Sequence, residues 1–207
     1  MTESAAPDVA LVAALILAAG SGRRMGGPNK LMAEIGGVSL IRHVAAAALA
    51  SRALPPQVVT GHRSGEIEVA LAGLDLTFVH NPDHAGGLST SLRAGIAALG
   101  DDVDGAVILL ADMPFVDDAT IDRLIASFEA SGRRAIVAPV HDGRRGNPVL
   151  WPRRFFSALM AVEGDKGARD LIAAHAAEVI EVAAGEGVAR DIDTPEALAA
   201  AGGQWPA

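Results

Sequence analysis

The most restrictive feature of the chain is an apolar run that breaks directly into a cationic glycine loop, LILAAGSGRRMGGPNK at residues 15–30. Leu15-Ile16-Leu17 has no polar side chain, as expected of a parallel strand buried on both faces rather than one with a wet side. Gly20, Gly22, Gly26 and Gly27 follow, mixed with Arg23, Arg24 and Lys30. Glycines at a strand end let backbone come close to a ligand, and free N–H groups there hold phosphate. Two arginines and a lysine on one loop supply charge for several phosphates. The plain alternative is a solvated basic loop. A phosphate-binding G-x-x-x-x-G-K-[ST] pattern fails, because Lys30 follows Asn29, and the glycines fit only a loose dinucleotide spacing.

The rest of the chain alternates in a βαβ manner. GAVILLA at residues 105–111 is the clearest central strand, with further strands predicted at 57–60, 77–80, 135–140 and 178–183. Helices are predicted at 40–51, 66–71, 89–99, 117–131, 154–162, 168–177 and 195–201. Gly36-Gly37 makes a turn, and residues 148–151 pair back as a hairpin after the polar turn at 141–146. Half of the residues are hydrophobic but only 3% are aromatic, so the core must be built from Ala, Val, Leu and Ile. The expected fold is one doubly wound, Rossmann-like, mostly parallel sheet with helices on both faces, at residues 13–202 after a disordered tail at 1–12. Ligands then belong at the carboxyl ends of the strands.

Charge and composition exclude several functions. There is no cysteine, hence no disulfide framework and no thiolate nucleophile. A net charge of −8 argues against general nucleic-acid binding and requires any triphosphate site to be a local positive patch. The apolar run at 9–19 is too short to span a membrane, and no basic residue precedes it, so a soluble cytoplasmic protein is expected. Of the 17 basic residues only Lys30 and Lys166 are lysines, and each stands in a glycine-rich, motif-like segment.

Four further segments carry candidate chemistry. Asp112 ends the strand at 105–111, where a carboxylate among phosphates calls for a hard cation such as Mg²⁺, or else is a turn aspartate. Asp191 and Asp193 alternate before Thr194-Pro195, which is either a second acidic site or a capped helix start. Gly87 with Ser89 and Ser91 opens a helix as a polar-edge site, although a serine cap explains Ser89 equally well. Asn147 lies in GNPVLW, and Lys166 and Arg169 in GDKGAR, where a cationic pair at a helix start could clamp a phosphate. The six histidines show no metal-ligand spacing.

LAAGSGRRMGGPNK also resembles the signature loop of nucleotidyltransferases, L-A-A-G-x-[SG]-x-R-M-G followed shortly by Lys. LADMP and DIDTPE are similar to the same enzymes' two metal motifs. GDKGAR looks most like the molybdenum cofactor cytidylyltransferase family, and the resemblance covers residue 15 to about residue 198. It implies CMP transfer from CTP to the terminal phosphate of a molybdenum–pterin, with a molybdenum hydroxylase receiving the product. It assigns catalysis to Arg24, Lys30 and Asp112. Nucleotide contacts fall to Leu17, Ala18, Ala19, Gly20, Gly22, Lys30, Gly87, Ser91 and Asp112. Acceptor contacts fall to Asn147, Lys166 and Arg169, and Mg²⁺ to Asp112 and Asp193. Asn147 and Gly22 depart from the His and Ser common in the family. If both aspartates hold one ion, they must face each other at the first loop. The same chemistry on an isoprenoid or sugar phosphate, a nicotinamide-dependent oxidoreductase and a non-catalytic cofactor carrier are the rival readings.

Overall fold

The computed structural model of the chain describes residues 9–20, 29–164 and 168–205. In chain order the strands are β1 (Val12–Leu17), β2 (Glu34–Ile35), β3 (Val38–Ser39), β4 (Leu54–Thr60), β5 (Thr77–His80) and β6 (Gly105–Leu110). They continue with β7 (Ile136–His141), β8 (Arg144–Arg145), β9 (Val149–Pro152), β10 (Val179–Ala183) and β11 (Gly203–Gln204). The helices are α1 (Leu40–Ala50), α2 (Ser64–Ala70), α3 (Leu88–Ala97), α4 (Asp118–Ala130), α5 (Phe156–Met160), α6 (Arg169–Ala174) and α7 (Pro195–Ala200).

The main sheet runs β10-β7-β9-β6-β1-β4-β5, with β8 beside β7. β1 is buried at every position and pairs in parallel with β4 on one side and β6 on the other. Its period-two alternation feeds two cores. Val12, Ala14 and Ile16 pack with Ile41 and Val44 of α1 and Ile121 and Leu124 of α4. Ala13, Leu15 and Leu17 pack with Leu92 and Ile96 of α3 and Leu159 of α5. Each fully buried Val, Leu or Ile in these cores stabilises the fold by about 1.5–3 kcal/mol relative to exposure. From β1 the chain steps outward to β4 and β5, then returns to β6 on β1's other side. That reversal puts the ligand crevice of a doubly wound sheet at the carboxyl ends of β1 and β6. The expected mostly parallel sheet with helices on both faces is therefore present.

Several details differ from expectation. Residues 148–151 do not simply pair back on the preceding strand. β9 enters antiparallel between β6 and β7, matched to β6 from Ile108↔Val149 to Gly105↔Pro152 and to β7 only at Val137↔Leu150. The pairing back is done by β8, through a tip at Asp142 and Gly143 whose positive φ values of 47° and 73° suit a two-residue hairpin. The helix expected at 154–162 is a 3-10 turn (Arg153–Phe155) followed by α5, and that at 168–177 is α6 followed by a 3-10 turn (Ala176–Glu178). Within the expected tail 1–12, Ala10 and Val12 are buried, and the Leu11 N–H donates to Asp104 Oδ2 at 2.8 Å.

A second, small sheet, β11-β2-β3, has no counterpart in the sequence reading. Its β2–β3 hairpin turns at Gly36-Gly37, both at positive φ, and β11 brings the chain's C-terminal part alongside β2. Ala33, Leu40, Ile192 and Leu198 form a third apolar cluster beneath it. Among the described residues no helix is long and apolar enough to cross a membrane.

Candidate active site

Asp112 stands two residues beyond β6. The ladder to β1 continues past the strand end, with Ala111 N–H donating to Leu17 O at 3.3 Å, so Asp112 emerges beside Ala18, Ala19 and Gly20. Ala18 N–H in turn donates to Val59 O, and His62 N–H to Ala19 O, which fixes the backbone of the predicted nucleotide segment against β4. Gly20 has nothing within 4 Å of where a Cβ would sit.

Lys30 re-enters on a 3-10 turn (Lys30–Met32) capped by Asn29, whose side chain accepts from Leu31 N–H. Buried Leu31 and Ala33 anchor that turn. The Lys30 Nζ lies 2.6 Å from Asp112 Oδ2 and 2.5 Å from Asp193 Oδ1. Two carboxylates 81 positions apart in the chain thus converge on one ammonium. Burial pushes the Lys30 pKa down, but the charge and hydrogen bonds of Asp112 and Asp193 together outweigh it and hold the pKa above the usual lysine value.

Asp193 is placed by its neighbours rather than by a strand. Ile192 is fully buried, and its N–H donates to the Asp112 main-chain O at 2.9 Å. Upstream, Gly187 lies so close to Phe115 that an added Cβ would stand 2.2 Å from its carbonyl O, which only glycine permits. Downstream, Thr194 caps α7 by accepting from Ala197 N–H at 3.1 Å, with Pro195 at the first turn. Thr194 therefore does the capping, and Asp193 turns to the lysine. Asp191 is exposed.

At the start of α3 the cap is not Ser89. Gly87 occupies that position with φ 96° and ψ −178°, a conformation open to glycine, and Ser89 is buried with its N–H donating to Gly164 O. Ser91 is buried on the first turn and accepts from Asn81 Nδ2 at 3.1 Å. Asn81, which the sequence analysis did not single out, is thereby joined to the predicted nucleotide-binding helix start.

Asn147 sits at the same edge as Asp112. It stands two residues before Val149, which lies opposite Ile108 near the carboxyl end of β6. Its N–H donates to Val188 O, joining it to the segment that carries Asp193. Arg169 opens α6 and is exposed, and the bond from Ser89 N–H to Gly164 O draws the approach to that helix against α3. Gly22, Arg24 and Lys166 lie outside the described residues.

Among the described residues no group of three or more His, Cys, Asp or Glu side chains is gathered for a metal ion. The pair Asp112 and Asp193 nonetheless has the right chemistry for a hard divalent cation. Both are carboxylates, both already turn toward one positive charge, and phosphate or water oxygens commonly complete such shells.

The chain is similar in sequence and in fold to several known proteins. Bifunctional protein GlmU of Micrococcus luteus is 32% identical over 139 residues, covering 63% of this chain. The molybdenum cofactor cytidylyltransferase of Escherichia coli K12 is 35% identical over 96 residues, covering 45% of this chain. The chain spans only 28% and 46% of those two relatives' lengths. Crystalline Rv0371c of Mycobacterium tuberculosis superposes with a TM-score of 0.76 at 25% identity, over 90% of this chain and 95% of that one. Its complex with manganese has the same fold, at a TM-score of 0.75 and 22% identity over 93% of this chain and 98% of that one. The model of the MobA-like NTP transferase domain matches residues 14–179, and the chain belongs to that family.

Proposed function

We propose that the protein transfers CMP from CTP to the terminal phosphate of a molybdenum–pterin, releasing pyrophosphate. The observation that carries the nucleotidyl-transfer reading is the convergence of Asp112, Asp193 and Lys30 at the carboxyl edge of β1 and β6, beside Ala18, Ala19 and Gly20. The likeness to the Escherichia coli cytidylyltransferase and the GDKGAR segment support the pterin acceptor.

In this reading a terminal phosphate oxygen of the acceptor attacks the α-phosphorus of CTP in line. The bond from that phosphorus to the bridging oxygen breaks, and its electron pair leaves on pyrophosphate. No covalent enzyme intermediate is required, so catalysis is positioning and charge neutralisation. The glycine loop and the backbone at Leu17, Ala18, Ala19 and Gly20 cradle the triphosphate, while Gly87 and Ser91 face the base. Arg24 and Lys30 offset the charge gathering on the leaving group. Asn147, Lys166 and Arg169 orient the acceptor. Asp112 and Asp193 would hold Mg²⁺ or Mn²⁺, which when bound supplies positive charge to the phosphates.

A second reading keeps the chemistry and changes the acceptor to a sugar phosphate. One experiment separates the two. The protein is incubated with Mg²⁺, each of CTP, GTP and UTP, and either molybdopterin or a sugar 1-phosphate, and pyrophosphate is measured. Release with CTP and molybdopterin, well ahead of every other pair, is expected. Release with a sugar phosphate instead moves the protein to the second reading.

A further inference from the structure

Asn81 follows β5 directly, and its main-chain N–H donates to Thr60 O at 2.8 Å, extending the β4–β5 ladder by one residue. Only 2% of it is exposed. Its side chain crosses to the first turn of α3. Oδ1 accepts from Asp83 N–H at 3.0 Å, while Nδ2 reaches Thr90 Oγ1 at 2.9 Å and Ser91 Oγ at 3.1 Å.

The direction of these bonds is determined. A main-chain N–H can only donate, so the atom facing Asp83 N–H must be the amide oxygen, and the opposite atom must be the NH₂ group. An amide nitrogen has two hydrogens, and both are used. Thr90 accepts one and passes its own proton to Gly87 O at 2.8 Å. Ser91 accepts the other, and among the described residues its hydroxyl proton is donated to no partner. With one of its two lone pairs engaged by Asn81, buried Ser91 keeps an unspent proton, and because a buried donor without a partner costs more than a second lone pair left over, Ser91 meets a ligand as a donor.

We propose that Asn81 is a positioning residue that sets nucleobase selectivity by fixing Ser91 as a hydrogen-bond donor. This rests on Ser91 facing the base, as in the function proposed above. A fixed donor matches an acceptor on the base edge. Ring N3 is an acceptor in cytosine and carries a hydrogen in uracil, so a donor directed there favours the first and opposes the second. Selectivity then arises partly from the bond made and partly from the clash of two donors.

The decisive variant is Asn81→Asp, which keeps the shape and the bond from Asp83 N–H but reverses the polarity toward Ser91. The carboxylate takes the Ser91 proton's bond for itself. Binding of CTP, UTP, GTP and ATP to the full chain is measured by calorimetry, with circular dichroism and a melting curve to check folding. The wild type is expected to prefer CTP, and Asn81→Asp to weaken CTP about tenfold, the worth of one hydrogen bond, with UTP little changed. Ser91→Ala should lose the same preference, and adding Asn81→Asp to it should take away no more. A merely structural asparagine would lower the melting temperature and leave the CTP-to-UTP ratio alone. A wild-type ratio in folded Asn81→Asp, or additive losses in the double variant, overturns the proposal. Should Asn81→Asp fail to fold, Ser91→Ala with an unchanged ratio overturns it equally. A wild type that binds no nucleotide overturns the function proposed above, a separate result.

Discussion

Asp112 and Asp193 meet the same ammonium but are delivered by opposite kinds of structure. Asp112 rides on β6, a strand buried between two neighbours in the middle of the sheet, and its side chain is 20% exposed. Asp193 lies on an irregular segment whose side chain is 35% exposed. One main-chain bond from Ile192 to Asp112, a four-residue apolar cluster and a six-residue helix hold it. The first carboxylate inherits the rigidity of the sheet, whereas the second depends on several small contacts that must form together. Loss of any one of them should therefore be felt at Asp193 first and at Asp112 hardly at all.

The largest effect of a substitution is expected at the strand end. Asp112→Asn should lower kcat/KM roughly a hundredfold to a thousandfold, as removal of a preorganised charge contact does. Lys30→Ala should cost about 2–4 kcal/mol of transition-state stabilisation in the same steady-state assay. Lys30→Arg should restore little, because a planar fork does not replace a compact ammonium between two carboxylates.

Lys30 also predicts a pH signature in stability. Its pKa is raised in the folded protein, so its contribution is complete below the unfolded lysine value of 10.5 and fades as pH climbs through the higher folded value. The stability gap between wild type and Lys30→Met, followed by denaturant unfolding, should stay level at neutral pH and close only in that alkaline window.

Smaller effects sharpen the contrast between the supports. Ile192→Ala empties a buried position in the small cluster and should cost about 2 kcal/mol of stability, the low end for such a truncation at a peripheral site. It should also reduce turnover, and the loss should vanish in an Asp193→Asn background. Smallest is Thr194→Ala, which removes the α7 cap and should cost about 1 kcal/mol in thermal unfolding with little change in rate.

The same contrast explains what the sequence made legible. A short apolar run such as GAVILL, opened by Gly105 and ended by Asp112 and Pro114, reads as a strand buried on both faces, so the position of Asp112 at the ligand edge followed from local chemistry. The placement of Asp193 did not. β2, β3 and β11 are two residues long each, too short for any periodicity, and β11 pairs with β2 across most of the chain's length. Only the resemblance of DIDTPE to a known motif pointed there, while its local reading favoured a cap. Thr194 proved to be that cap and left Asp193 available to Lys30. Asn81 was missed for a related reason, because what distinguishes it is four hydrogen bonds to partners on three separate segments.

We hold that the two carboxylates act as one unit on one cation, and binding of Mn²⁺ in the presence of CTP is the test. Calorimetry on wild type, Asp112→Asn, Asp193→Asn and the double variant gives the full cycle. Each single change should weaken Mn²⁺ binding, roughly tenfold or more, and the double change should cost much less than the sum of the two. Full Mn²⁺ affinity in Asp193→Asn, or strictly additive losses, would contradict the claim and leave Asp193 as a counter-charge for Lys30 alone.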